Sequence, residues 1–545
     1  MKIQYIDGNM LKKLFFGAAN CLEKNKEAVN ALNVFPVPDG DTGTNMSLTM
    51  QSAIKQIRTL ETDDIEKIVT AASNGSLMGA RGNSGVILSQ LFRGFAKGLK
   101  ETNRVNTSTI ATALKLGSDT AYKAVMKPIE GTILTVAREC AEIAIEISEK
   151  ETDIVEFLRA VIKHGEDTLN RTPEMLPVLK QAGVVDAGGK GLITIFMGAL
   201  EALTGKEEEV IDELITDSNI KHSFIESEGD ITFGYCTEFI INNSKVNYDV
   251  FRDEIVNLGD SMLVVGSEDI IKVHIHTNEP GLVLQKALQH GELIDIKIDN
   301  MRYQHRSNLA DDTATTTTIG DLVPKGSKKY SFITVSMGEG LSSVFQDLNA
   351  DYVITGGQTM NPSTEDILNA IDNVNGENII VLPNNGNIIL AATQAKELSN
   401  KNVEVLPTKT IPQGIAALVT FDEELSMEEN IENMKATISS VKTGQVTFSV
   451  RDTVMEEKEI KKDDIMGIFD GKIKVIGDNT QDVAFDLIKE MITDDNGLVT
   501  IFYGNDLSEE DATGLASRVE AEFDDLDIEV VFGGQPLYYY LISVE

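Results

Sequence analysis

Pro38-Asp39-Gly40-Asp41-Thr42-Gly43-Thr44-Asn45 is the stretch around which the first two hundred residues of this 545-residue chain are organised. Two carboxylates two residues apart, with glycines that free the backbone and hydroxyls that follow, suit a hard cation such as Mg²⁺ and the phosphates it carries. Pro, Asp and Gly are also the commonest turn residues, so a solvated turn is the plain alternative. An EF-hand is excluded, because Gly43 stands where a third oxygen ligand is needed and Thr44 where the obligatory glycine belongs.

Outward from this loop, residues 9–203 read as helix almost throughout. Leu11, Leu14, Phe15, Ala18 and Leu22 fall on one face, and similar stripes run through 65–77, 86–99, 110–125, 133–147, 154–169 and 192–203. An all-α N-terminal domain of about eight helices is expected. Two glycine-rich stretches, Gly79-Ala80-Arg81-Gly82-Asn83-Ser84-Gly85 and Asp186-Ala187-Gly188-Gly189-Lys190-Gly191, sit where helices should begin. Helix N-termini offer free N–H groups and a positive dipole end, which suits anions. Neither stretch is a P-loop, since the first lacks Lys followed by Ser or Thr and Lys190 is followed by Gly191. Glycine at one helix start is commonly a matter of capping or packing. Three such loops in one helical domain describe a phosphate cradle around a cation.

Beyond an acidic stretch at 206–217 the period changes. Strands at 232–242, 262–265, 270–276 and 293–298 alternate with helices at 249–258 and 281–288, and the order βαββαβ is that of a ferredoxin-like α+β domain. A Thr-rich segment at 311–329 reads as a linker. From residue 330 short apolar strands at 332–335, 352–355, 379–382, 403–406, 446–450, 473–476, 499–502 and 528–532 alternate with helical patterns. This predicts an α/β domain with a largely parallel sheet, in two lobes. The expected domains are 1–205, 218–310 and 329–545.

Composition narrows the partners. The chain carries 86 Asp plus Glu against 48 Lys plus Arg, a formal charge of -38, which repels nucleic acid and anionic lipid. Three widely spaced cysteines imply no disulfide framework, and no apolar run is long enough to span a membrane. A soluble cytoplasmic protein is expected. In the middle domain, His274 and His276 lie two apart on a predicted strand and share a face, and Cys236 lies on the neighbouring strand of a ferredoxin-like sheet. Cys plus two His suits Zn²⁺, with Glu238 nearby and the fourth ligand open. Ordinary strand residues are the plain alternative. In the C-terminal domain, 336–340, 356–364 and 382–387 each follow a predicted strand, where α/β domains put binding loops and also need turns.

The order and spacing of 33–46 (Asn33-Val34-Phe35-Pro36-Val37-Pro38 and the opening loop), the Gly79 stretch, Glu130-Gly131-Thr132-Ile133-Leu134 and Val185-Asp186-Ala187-Gly188-Gly189 resemble the nucleotide-binding domain of the dihydroxyacetone kinase L family. In its three-part layout the whole chain is similar to the A-subunit family of fatty acid kinases. The resemblance implies a barrel of antiparallel helices binding ATP and one or two Mg²⁺. Asp39 and Asp41 would be metal ligands; Thr42, Gly43, Thr44 and Asn45, with Gly82, Asn83 and Ser84, would hold phosphates. Thr132, Arg171, Asp186 and Gly188 would line the rest, with Arg171 neutralising charge during transfer. A third aspartate expected shortly before the pair is replaced by Asn33, an uncharged oxygen ligand. The resemblance also implies a zinc site in the middle domain, homodimerisation, and a C-terminal domain related to DegV lipid-binding proteins that engages a separate fatty-acid carrier rather than binding lipid itself. The implied activity is phosphorylation of the carboxylate of a carried fatty acid, giving an acyl phosphate for phospholipid synthesis. A small-molecule hydroxyketone kinase and a non-catalytic nucleotide-sensing scaffold are the competing readings.

Overall fold

A computed structural model describes residues 2–33, 40–125, 127–205, 235–242, 245–246, 248–255, 258–266, 270–300, 328–357, 360–455, 458–493 and 496–545. Asp39, the acidic stretch at 206–217 and most of the 311–329 segment lie outside them, as do the side chains of Cys236, Glu238, His274 and His276. The chain forms two compact units, one of Met1–Ile215 with Gly326–Glu545 and one of Thr216–Lys325.

Helices α1 (Gly8–Asn30), α2 (Thr42–Arg58), α3 (Ile65–Met78), α4 (Gly82–Gly98), α5 (Thr107–Ala124), α6 (Ile133–Ser148), α7 (Ile154–Met175), the short α8 (Pro177–Ala182) and α9 (Ala187–Thr204) make up the N-terminal part. Most begin on a side-chain acceptor: Asp7, Asp64, Asn106, Thr132, Asp153 and Asp186 each accept a first-turn N–H that would otherwise lack a partner. Each long helix packs on the next in sequence up to α7, α7 packs on α9, and α9 returns to α1, so the ring closes. Its apolar stripes turn inward around Leu22, Met46, Met50, Leu88 and Phe157. An apolar cavity of about 130 Å³ remains among Phe15, Met50, Leu88, Phe92, Leu158 and Phe196.

The second unit has strands β1 (Tyr235–Asn242), β2 (Gly259–Gly266), β3 (Ile270–Thr277) and β4 (Glu292–Asn300), with α10 (Tyr248–Ile255) and α11 (Pro280–Ala287) between them. The sheet order is β2-β3-β1-β4, antiparallel throughout. Phe239, Ile241, Ile271, Val273 and Ile275 form its core with Phe251 of α10 and Val283 of α11. Backbone register pairs Cys236 with His276 and Glu238 with His274, on the strand positions alternate to that core.

In the C-terminal part, β5 (Lys328–Ser336), β6 (Tyr352–Thr355), β7 (Gly376–Leu382) and β8 (Asn402–Val405) form a parallel sheet in the order β6-β5-β7-β8. Helices α12 (Glu339–Asp347), α13 (Thr364–Asn373), α14 (Ile389–Leu398), α15 (Ile411–Thr420) and α16 (Met427–Ser440) accompany it. The order reverses between β5 and β7, where α/β sheets open a crevice at their carboxyl ends.

A second sheet corrects the expectation of largely parallel pairing. It contains β9 (Lys442–Phe448), β12 (Ile465–Phe469), β13 (Lys472–Gly477), β14 (Leu498–Tyr503), β15 (Asp527–Phe532) and β16 (Tyr538–Val544), while β10 (Thr453–Met455) and β11 (Lys458–Ile460) pair separately. Only β14 and β15 run parallel within the six. Within the six, β12 and β16 are the strands absent from those expected above, and every antiparallel pairing in this sheet involves one of them. Asp470-Gly471 turns β12 into β13 with left-handed φ values of 51° and 67°, the signature of a two-residue hairpin.

Close helix approach sets the ring. A Cβ at Gly198 on α9 would lie 2.5 Å from the Cys21 Cβ and 2.8 Å from the Ala18 Cα of α1. Gly198→Val is expected to lower unfolding free energy by about 1–3 kcal/mol, read by chemical denaturation, because α1 and α9 must separate.

Candidate active site

Helix α2 begins at Thr42, so Thr42, Gly43, Thr44 and Asn45 are its first turn and Asp41 stands at its N-cap. The Asp41 side chain makes no capping bond. That task falls to Asn30, at the end of α1, whose Oδ1 accepts the N–H groups of Gly43 (2.8 Å) and Thr44 (3.2 Å) while Nδ2 donates to Thr44 Oγ1 at 3.0 Å. Two donors of the expected anion cradle are therefore already satisfied. Sequence reasoning does not single out Asn30 for this role, although an Asn closing a helical stripe is a recognised stop signal.

The glycine stretches serve close packing on α2. A side chain at Gly79, Gly82 or Gly85 would collide with Ser52, Asn45 or Thr49 respectively, three positions along one face of α2. Gly82 also has a φ of 57°, and its Cβ would lie 2.5 Å from Asn45 Nδ2. The helix they were expected to precede in fact starts at Gly82, with Asn83 and Ser84 in its first turn. On the other side, a Cβ at Gly191 would lie 2.6 Å from Met46 Sδ, and one at Gly188 3.1 Å from Ile133 Cβ. The starts of α4, α6 and α9 are thus tied through these contacts to the start of α2.

Each start has its own support. Thr132 caps α6 and donates to the Ile129 carbonyl at 2.8 Å. Beside it, the Glu130 carboxylate accepts from Thr135, Tyr122 and Arg138, and these bonds, the Thr135 one foremost, hold it below its usual range. Asp186 caps α9 through Gly189 N–H at 2.7 Å, and its own N–H donates to Thr172 Oγ1 at 3.1 Å on α7. Arg171, next to Thr172, is exposed; among the described residues it bonds within its own helix, to the Asp167 carbonyl (3.3 Å) and Thr168 Oγ1 (3.2 Å).

Asp41 is buried at 6% exposure against the C-terminal part of the same unit. Asn361 Nδ2 donates to its Oδ2 at 2.5 Å. Around this bond Arg81 donates to the Asn361 carbonyl at 2.6 Å and pairs with Asp366 at 3.3 Å, and Thr364 N–H donates to the Ala80 carbonyl at 3.1 Å. Asn83 Nδ2 donates to Asn387 Oδ1 at 3.1 Å. Arg451 donates to the carbonyls of Ala31 and Asn33, steadying the chain just before the loop. Short-range sequence pattern carries no signal for these partners, which lie some hundreds of residues away.

The residues present fit a hard cation. Alongside the buried Asp41 carboxylate, the buried amide oxygens of Asn33 and Asn361 have no hydrogen-bond partner among the described residues, and Asn33 packs beside Gly40. Among those residues no group of three or more His, Cys, Asp or Glu side chains is placed to hold a metal ion. Asp39 and the side chains of Cys236, His274 and His276 are not among them.

Burial pushes the Asp186 carboxyl up to about 6, with the Gly189 and Ile133 N–H groups pulling the other way. The folded chain therefore holds this proton more tightly than the unfolded one. The group's stabilising contribution is full below its ordinary value of 3.8 and is lost as pH rises through about 6. Asp186→Asn retains a cap acceptor without the charge. Its stability relative to the parent chain is expected to rise from near zero at pH 4 to about 2–3 kcal/mol at pH 7, measured by thermal or denaturant unfolding.

Comparison with known proteins matches three families along the chain: the DAK2 domain over residues 36–201, the FakA-like middle domain of fatty acid kinases over 232–308, and the FakA-like C-terminal domain of fatty acid kinases over 331–545. Protein YloV of Bacillus subtilis is 47% identical, with 100% of both chains covered. An uncharacterized protein of Staphylococcus aureus (strain MRSA252) is 42% identical, again with 100% of both covered. Among solved structures, the Streptococcus pneumoniae Fatty Acid Kinase B3 protein loaded with linoleic acid is similar over 40% of this chain and 99% of that one, at 14% identity and a TM-score of 0.30. With full-length relatives above two-fifths identity and all three parts matched in order, the chain belongs to the A-subunit family of fatty acid kinases.

Proposed function

We propose that this chain is an ATP- and Mg²⁺-dependent kinase that phosphorylates the carboxylate of a fatty acid presented by a separate DegV-family carrier. The observation that carries the reading is the linked packing of the starts of α2, α4, α6 and α9, with a buried carboxylate, Asp41, at the N-cap of α2 and Asn361 bonded to it, while the amide oxygens of Asn33 and Asn361 lack partners among the described residues. Buried amide oxygens left in this way are costly unless a donor or cation meets them.

Asp41, Asp39 and the Asn33 amide oxygen would hold Mg²⁺, one ion or two. The cation would neutralise charge on the ATP phosphates. The chain's own residues do the rest. The first turns at Thr42–Asn45 and Gly82–Ser84 bind phosphate oxygens through the hydroxyls and N–H groups that Asn30 leaves free, and Asp186, Gly188 and Thr132 border the nucleotide. Arg171, exposed on α7, supplies positive charge to neutralise the phosphate oxygens during transfer. A fatty carboxylate is already anionic and needs no general base. One of its oxygens forms the new bond to the γ-phosphorus as the bond to the ADP oxygen breaks, leaving acyl phosphate and ADP.

The domains in this reading span 1–205, 218–310 and 329–545. The closed ring α1 to α9 supports a helical barrel for the first, and strand order β2-β3-β1-β4 supports a ferredoxin-like fold for the second. The pairing of Cys236 with His276 along the backbone supports a zinc site of Cys236, His274 and His276. Homodimerisation and a cytoplasmic location belong to the same reading. Among the described residues no helix is long and apolar enough to cross a membrane.

With purified protein, ATP, Mg²⁺ and oleate, ATP consumption is expected only when a fatty-acid carrier protein is added, and not with dihydroxyacetone; turnover with dihydroxyacetone alone would overturn the reading. Asp41→Ala is expected to lower turnover by at least about a hundredfold, with the C-terminal sheets still folded by circular dichroism. Metal analysis is expected to find zinc in the parent chain and its loss in Cys236→Ser.

A further inference from the structure

Asn361 belongs to the α/β part yet sits at the meeting point of two helix starts in the helical part. Its Nδ2 donates to Asp41 Oδ2 at the N-cap of α2, and the same nitrogen lies 3.6 Å from where a Cβ on Gly82 of α4 would stand. A carboxylate only accepts, so the amide must present its NH₂ to Asp41 and carry its oxygen beside it. That oxygen, on a residue with 0% exposure, has no partner among the described residues. A buried amide oxygen left without a donor is costly, so simple packing does not account for an Asn here.

The backbone beneath it is held at several points. Pro362 follows, then Ser363, which caps α13 in a reciprocal box with Asp366. Asp366 pairs with Arg81, and Arg81 holds the Asn361 carbonyl. The amide is thus braced from both parts of the unit, beside the helix starts that the nucleotide would meet.

We propose that Asn361 is a positioning residue of the phosphoryl-transfer site: Nδ2 orients the Asp41 carboxylate and Oδ1 accepts from the hydration shell of the divalent cation. This rests on the kinase reading above. It makes the metal-bearing site a product of both parts of the unit, so that nucleotide binding depends on the α/β part remaining docked at Arg81 and Asn83.

The test uses the full chain and the probe AMP-PNP, titrated calorimetrically with and without Mg²⁺. Asn361→Ala is expected to weaken Mg²⁺-dependent affinity about tenfold or more while leaving affinity in EDTA unchanged, the size expected for losing a hydrogen bond to a charged group. Asn361→Asp is nearly isosteric and sets a second carboxylate against Asp41, a repulsion that a divalent cation relieves. Mg²⁺ alone is therefore expected to raise its melting temperature more than that of the parent chain. Unchanged Mg²⁺-dependent affinity in Asn361→Ala, equal weakening with and without Mg²⁺, or a parent-like Mg²⁺ response in Asn361→Asp would each overturn the proposal alone. A parent chain with no Mg²⁺-dependent affinity would overturn the kinase reading and this proposal together.

Discussion

A carboxylate taken out of water must be paired, and Asp41 is taken out of water at a seam between two parts of one compact unit. Most of the surrounding architecture can be understood as the consequence. Asn30 takes over the capping of α2, which leaves the Asp41 side chain unused as a cap. Asn361 supplies a donor from 320 residues further along. Arg81 and Asp366 then hold that donor's segment in place, and Asn83 with Asn387 makes a second tie across the seam. A carboxylate can accept several interactions at once, so the bond from Asn361 does not by itself bar a cation from Asp41.

Helix starts cannot crowd together unless side chains are absent where they cross. Gly79, Gly82 and Gly85 lie against successive positions of α2, and Gly188 and Gly191 against α6 and α2. Where such a glycine lies inside a helix, as Gly85 and Gly191 do, it gives up helix propensity, about 1 kcal/mol relative to alanine. The return is the approach of several N-termini, whose dipole ends and free N–H groups add up only if they point at one place. Asp186 lies half-buried at one of these helix starts, and desolvation pushes its carboxyl up to about 6.

Much of the layout is legible along the chain. The 3.6-residue stripes locate the long helices except α2, which no expected stripe covers, and the period-2 segments locate all four strands of the middle unit. The C-terminal part is less legible. Its parallel sheet announces itself as short apolar runs alternating with helices; β12 and β16 fall outside the expected strands although Ile465–Phe469 and Tyr538–Val544 are apolar runs too, and with them goes the antiparallel order of the second sheet. The Asp470-Gly471 dipeptide is the available sign of the β12–β13 hairpin. Nothing local distinguishes Tyr538–Val544 as the strand inserted between β9 and β14, since pairing order is settled by contacts distant in sequence.

From sequence alone come the residue types that chemistry requires: carboxylates in a glycine loop, further glycine-rich helix starts, and their order along two hundred residues. Those features are local, because propensity, capping and turn conformation depend on neighbours a few positions away. Only the tertiary structure decides that the glycines serve first as sites of close approach, that Asn30 occupies two of the donors, and that Asn361 and Arg81 bind Asp41's surroundings across the seam. Those facts depend on which surfaces bury one another, and burial is a property of the whole packed chain.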